Sequence, residues 1–137
     1  MKDLLENFIS NKALAGKEKA RTWFIDIDGT VFRYEGYKGA PDVLLEGAKE
    51  FFEWLPEEDT VILTTSRDNG QRWSTEKALK ENKIRYDCII FGLPAGERFL
   101  VNDYVEEAKP TAYGVNVARN STGKGSFLQV LSDGNVI

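Results

Sequence analysis

Histidine is absent from this chain of 137 residues. That absence removes Ser-His-Asp and Cys-His catalysis and the usual zinc sites. Acid–base chemistry must then fall to carboxylates, Lys, Tyr or Cys. Cys88 is the single cysteine, so an intrachain disulfide framework is impossible. Its place in the apolar run Asp87-Cys88-Ile89-Ile90-Phe91 reads as a small buried hydrophobe. No apolar stretch approaches membrane-spanning length. The acid-containing start, Met1-Lys2-Asp3-Leu4-Leu5-Glu6-Asn7, lacks the apolar core of a signal peptide. The expectation is a cytoplasmic protein without a membrane partner. Surplus basic charge is missing too: the net charge of −4 offers no basic track, so no nucleic-acid partner is expected. A phosphorylated substrate stays open, because a bound cation and a few local arginines can supply positive charge.

A hydrophobic content of 42% and a charged content of 29% describe a globular protein. The length suits one compact domain over residues 1–137, with a helical arm over 1–20 and a core over 22–131. Leu4, Leu5, Phe8 and Ile9 recur at helical spacing, so residues 3–19 are predicted as an amphipathic helix. Its apolar face would pack on the body of the domain or on another subunit. Thr22 to Ile27 reads as the first strand. Phe32 to Pro41, with aromatics among glycines, reads as a short hairpin or flap. Asp42 is a candidate N-cap for a helix carrying Val43, Leu44, Ala48, Phe51, Phe52 and Leu55, which stops at Pro56. Thr60 to Thr64 is predicted as the second strand and Gln71 to Glu81 as a helix. Asp87 to Phe91, Arg98 to Val101 and Tyr113 to Val117 follow as further strands, and Gly125 to Leu131 as a last short helix. Helical segments between short apolar strands imply βαβ units around a parallel sheet.

Candidate chemistry collects where three of these strands end. In Phe24-Ile25-Asp26-Ile27-Asp28-Gly29-Thr30 an apolar run delivers two aspartates, two positions apart, to a glycine turn. Residues i and i+2 of a strand point to one side, and Gly29 lets the backbone turn sharply. Paired carboxylates beyond a strand's carboxyl end suit a hard cation and a phosphate. The second strand ends in Thr64-Thr65-Ser66-Arg67, and the fourth in Asn102-Asp103. A strand closing in an Asp-rich turn accounts for any one of these alone, but not for all three together.

Asp26 to Thr30 matches the D-x-D-G-T signature of the haloacid dehalogenase-like (HAD-like) phosphohydrolases. Over roughly Thr22 to Asp103 the chain resembles that family, with further segments in the family's order. The resemblance implies a Rossmann-like, doubly wound α/β fold of about five strands. It also implies an aspartyl-phosphate mechanism with Mg²⁺. Asp26 would attack phosphorus. Asp28 would protonate the leaving alcohol and then activate water, and its backbone carbonyl would join Asp26 and Asp103 around the metal. Asn102-Asp103 stands where many relatives have two acids. Thr65, or Thr64 one place earlier, would hold the phosphoryl group together with the Ser66 N–H, and Gly29 and Thr30 would line the substrate. Arg67 would grip substrate or pair with Asp68 or another surface acid.

The family's lysine has no clear counterpart, since Leu93-Pro94 stands where many small relatives have Lys-Pro. Arg98 is the first replacement, with Lys77, Lys83 and Lys109 as alternatives; Arg and Lys differ in shape and hydration. The intervals Thr30–Thr60 and Arg67–Asp87 leave no room for a cap domain, so a homo-oligomer would shield the site or a large substrate would enter it. Tyr34, Tyr37 and Lys38 on the flap are candidates to touch it. The expected substrate is a phosphorylated small molecule, first a phosphosugar. A phosphoprotein, a nucleic-acid end, or phospho-ligand binding without turnover are the alternatives.

Overall fold

A computed structural model of the chain describes residues 19–35 and 39–120. Three strands, β1 (Thr22–Asp26), β2 (Thr60–Thr64) and β3 (Cys88–Ile90), form a parallel sheet in the order β1-β2-β3. Helix α1 (Ala48–Trp54) connects the first two strands, and α2 (Arg72–Glu81), entered through a 3₁₀ turn at Asn69–Gln71, connects the last two. Parallel neighbours need such crossovers. The protein is therefore α/β, with the βαβ units that the alternation of apolar strands and periodic helices predicts. Among the described residues no helix is long and apolar enough to cross a membrane.

Register sets what each face of the sheet does. Trp23 lies beside Val61, and Ile25 beside Leu63 and then Ile89, so these side chains share one face. They pack with Phe51, Phe52, Leu55 and Leu79 of the helical segments in a single core. Trp23 anchors its aromatic part, standing edge-on to Phe51 (5.9 Å between centroids, 81°) and to Trp54 (6.3 Å, 74°). Edge-to-face pairing of this kind adds to the area term. The opposite face is less covered: Phe24 is half-exposed, and Cys88 and Ile90 are exposed. Cys88 therefore differs from the buried hydrophobe its apolar neighbours imply, because its register places it on that open face.

Below the sheet, Asp59 accepts hydrogen bonds from the Arg21 N–H and the Trp23 indole, both at 2.9 Å. Asp87 accepts from the Val61 N–H at 2.7 Å. These acids satisfy backbone and indole donors at the strand starts, which would be costly to bury unpaired.

Four expectations are revised. The first helix begins at Ala48 rather than after Asp42, because 43–45 run extended beside 31–33. Phe32 and Leu44 form an antiparallel bridge there, Arg33 N–H donates to Val43 and Leu45 N–H to Val31. Gly47, at φ 84°, then turns the chain into the helix, a conformation most residues avoid. That pairing closes the base of the flap, whose residues 36–38, with Tyr37 and Lys38, lie outside the described residues. Second, Arg98–Val101 is irregular, with Phe99 83% and Val101 90% exposed. Third, Tyr113–Val117 is irregular as well. An apolar run becomes a strand only where an edge accepts its backbone groups and burial offsets the ordering entropy. Fourth, β1 is an edge of the described sheet, where a doubly wound arrangement would continue past it. The predicted helices at 3–19 and 125–131 also lie outside the described residues.

Leu63 is fully buried on the central strand. Leu63→Ala is expected to cost about 2–5 kcal/mol of stability, through lost burial and the cavity left behind. The shift in urea midpoint measures it.

Candidate active site

The carboxyl ends of β1 and β2 meet, and the polar residues delivered there interlock. Ile27 N–H extends the β1–β2 ladder by donating to Thr64 (3.1 Å), and the chain then folds back as Thr30, Val31 and Phe32 N–H all converge on the Ile27 carbonyl. Gly29 adopts φ 91° in this turn, the positive-φ conformation that its missing Cβ permits. Asp26 and Asp28 flank the bend, as the D-x-D-G-T spacing predicts.

Arg67 is the hub. Its side chain is 3% exposed, and those of Asp28 and Asp42 are 12% and 11% exposed. Nε donates to both Asp28 oxygens (3.1 and 3.2 Å) and Nη2 to Asp28 Oδ1 at 2.7 Å. Nη2 also donates to Asp42 Oδ1 (2.7 Å), while Nη1 donates to Asp42 Oδ2 (3.1 Å) and to the Thr75 hydroxyl (2.9 Å). All five N–H donors of the guanidinium therefore have acceptors inside the protein. The two carboxylates raise the Arg67 pKa despite the opposing effect of burial. Of the two roles its sequence position allowed, the structure favours pairing with acids, but with Asp28 and Asp42 rather than with adjacent Asp68. Asp42, a candidate helix cap by sequence, is drawn into this grip instead.

Thr65 is fully buried. Its hydroxyl donates to Asp28 Oδ2 (3.1 Å) and accepts from the Arg67 N–H (3.1 Å). It is Thr65, rather than Thr64, that meets Asp28. Ser66 is exposed at the same bend. The loop after β3 is tied down here as well: Gly92 N–H donates to Arg67 (2.7 Å) and Leu93 N–H to Thr65 (3.1 Å).

Asp26 is the more open acid, with its side chain 42% exposed. Thr30 Oγ1 donates to it at 3.5 Å, and Arg98 Nη2 stands 3.8 Å from Oδ1. Burial raises the Asp26 pKa above its ordinary value; Arg98 opposes this, the charge on Asp28 adds to it, and Thr30 opposes it again. Among the four candidates for the missing lysine, Arg98 is the one beside Asp26. Lys77 pairs with Glu81 and Lys109 with Glu106, while Lys83 occupies a positive-φ turn after α2.

Asp103 does not join this group. It lies in exposed irregular chain, where its carbonyl accepts from Thr111 and neighbouring Asn102 donates to the same hydroxyl (2.8 Å). Among the described residues no three His, Cys, Asp or Glu side chains are grouped to hold a metal ion. Among the described residues of this group, Asp26 is the more exposed carboxylate, faced by the Thr30 hydroxyl and a guanidinium at 3.8 Å. Such a carboxylate fits an ion like Mg²⁺, which takes one or two protein carboxylates and completes its shell with water and substrate. Sequence reading missed Asp42 and Thr75 as partners of Arg67, because pairs 25 and 8 residues apart leave no periodic signal.

Asp26 binds its proton more tightly folded than unfolded. Stability therefore falls as pH rises from the unfolded value of 3.8 through the raised folded one, and above that window the ionised carboxylate costs stability. In chelator, Asp26→Asn is expected to melt above wild type at pH 7, with the gain vanishing as the pH falls below the unfolded value of 3.8. Arg67→Met strands two buried carboxylates and is expected to cost about 3–5 kcal/mol in urea unfolding. Adding Asp28→Asn and Asp42→Asn should recover much of that loss; no recovery would show that the loss comes from packing rather than uncompensated charge.

Compared with known proteins, the chain matches no family model, no curated protein and no solved structure.

Proposed function

We propose that this chain is a Mg²⁺-dependent phosphatase of the HAD-like type, hydrolysing phosphate monoesters through an aspartyl-phosphate, with a phosphosugar as the first substrate class. The observation that carries the reading is the hydrogen bond from Thr65, just past β2, to Asp28, two residues beyond the more open Asp26 that ends β1. Ligands of open parallel sheets bind beyond the carboxyl ends of the strands.

Asp26 is the nucleophile in this reading, because its carboxylate is partly open while that of Asp28 is committed to Arg67 and Thr65. Attack by an Asp26 oxygen forms the acyl-phosphate as the bond from phosphorus to the alcohol oxygen breaks. Asp28 passes a proton to that oxygen; it then takes one from the water that attacks phosphorus, as the bond from Asp26 to phosphorus breaks and phosphate leaves. For the proton transfer Asp28 must loosen part of its grip on Arg67 or Thr65. Arg98 offsets charge at Asp26, in the place of the family's lysine. A magnesium ion held by Asp26 and the Asp28 carbonyl would supply charge to neutralise the phosphoryl oxygens; Asp103, which stands apart from this group, is not counted among its ligands. The five-stranded doubly wound sheet belongs to the same proposal. It would need strands beyond the three described, since 98–101 and 113–117 are irregular.

Leu93-Pro94 in place of Lys-Pro, and the position of Asp103, favour a second reading in which a phospho-ligand is bound without turnover. Phosphate release from p-nitrophenyl phosphate and a panel of phosphosugars separates the two. Turnover that needs Mg²⁺, stops with chelator and falls at least about 10³-fold in Asp26→Asn is expected. Release indifferent to that substitution, or no turnover on any substrate, would reject the phosphatase.

A further inference from the structure

The turn after Asp28 is held from outside by residues far along the chain. Asn120 N–H donates to the Gly29 carbonyl (2.9 Å), and Asn120 Oδ1 accepts from the Tyr34 N–H at 2.7 Å, across 86 residues of sequence. Asn120 does this with φ 61°, a left-handed conformation in which Asn is enriched. Its neighbour Arg119 is thereby laid along the turn. A Cβ on Gly29 would stand 3.0 Å from Arg119 Cγ, so the turn and the arginine stem are in close contact. The guanidinium carbon lies 3.7 Å from the centroid of the Tyr34 ring, a stacked cation–π geometry that restrains it.

The three arginines of this region differ in what they have left to offer. Arg67 has every donor engaged within the protein, and Arg98 faces Asp26. Arg119 is exposed, and among the described residues its guanidinium has no carboxylate partner and donates no hydrogen bond. A ring stacked on one face of a guanidinium leaves its edge donors free, in the fork that matches a carboxylate or phosphate.

We infer that Arg119, restrained on Tyr34 beside the Asp28–Gly29 turn, is a specificity residue that grips a second anionic group of the substrate. The substrate class is then a phosphate monoester that also carries a carboxylate or another phosphate, such as an acidic phosphosugar or a bisphosphate. This rests on the phosphatase reading for its reaction, but the anion preference can be measured without turnover.

The probes are 3-phosphoglycerate, with phosphate and carboxylate, and glycerol 3-phosphate, with phosphate alone. Calorimetry in Mg²⁺ buffer, on the full chain carrying Asp26→Asn, compares their dissociation constants. A preference of about tenfold or more for 3-phosphoglycerate is expected, the scale of one charge-assisted contact. Arg119→Gln keeps the stem that packs on Gly29 and loses the charge; it should reduce the preference to about twofold or less. Arg119→Lys should retain part of it. A purely structural Arg119 would instead weaken both probes alike in both variants. That result, an undiminished preference in Arg119→Gln, or no preference in the parent would each overturn the inference. Phosphate release by wild type from p-nitrophenyl phosphate and the phosphosugar panel is measured alongside. Its failure rejects the phosphatase while leaving the binding preference to decide the role of Arg119.

Discussion

One buried guanidinium joins four separate stretches of this chain. Arg67 follows β2, Asp28 follows β1, Asp42 closes the flap and Thr75 lies on α2. A charge taken this far out of water is tolerable only if it is paired and hydrogen-bonded, and here every donor is. The converse also holds, since Asp28 and Asp42 could not share the same small volume without the cation between them. Strand ends, flap and helix are thus mutually conditional at this one residue.

Around that hub the more open carboxylate is the outer one, Asp26. Asp26 sits where burial and a neighbouring carboxylate disfavour its charge and where Arg98, at 3.8 Å, and the Thr30 hydroxyl offset this only in part. Local destabilisation of this kind is typical of functional positions, where the surrounding structure over-determines an unfavourable arrangement. The inner acid, by contrast, is fixed by a charge-assisted fork and a buried hydroxyl. Two carboxylates two residues apart are therefore given different environments by residues far away in sequence, which is the usual way paired acids acquire separate roles.

The same division explains why three arginines near one turn do not duplicate each other. Burial commits Arg67 to structure. Partial exposure leaves Arg98 as a counter-charge for Asp26, and stacking on Tyr34 leaves Arg119 restrained with its edge donors open. Identical side chains diverge because solvent access and the number of local acceptors differ.

Local pattern alone determined β2 as Thr60–Thr64, the core of β1 and β3, the helix ending at Glu81, and the delivery of Asp26, Asp28 and Thr65 to one end of the sheet. Those features depend on side-chain period and on Gly29, which act within a few residues. Tertiary structure decided the rest. It gave Arg67 to acids 39 and 25 residues away rather than to Asp68, placed Arg98 beside Asp26, and brought Arg119 and Asn120 onto the turn. It also left Arg98–Val101 outside the described sheet despite its apolar composition. Partners so distant in sequence are chosen by which groups packing buries together and which must then be neutralised, and no short-range periodicity encodes that choice.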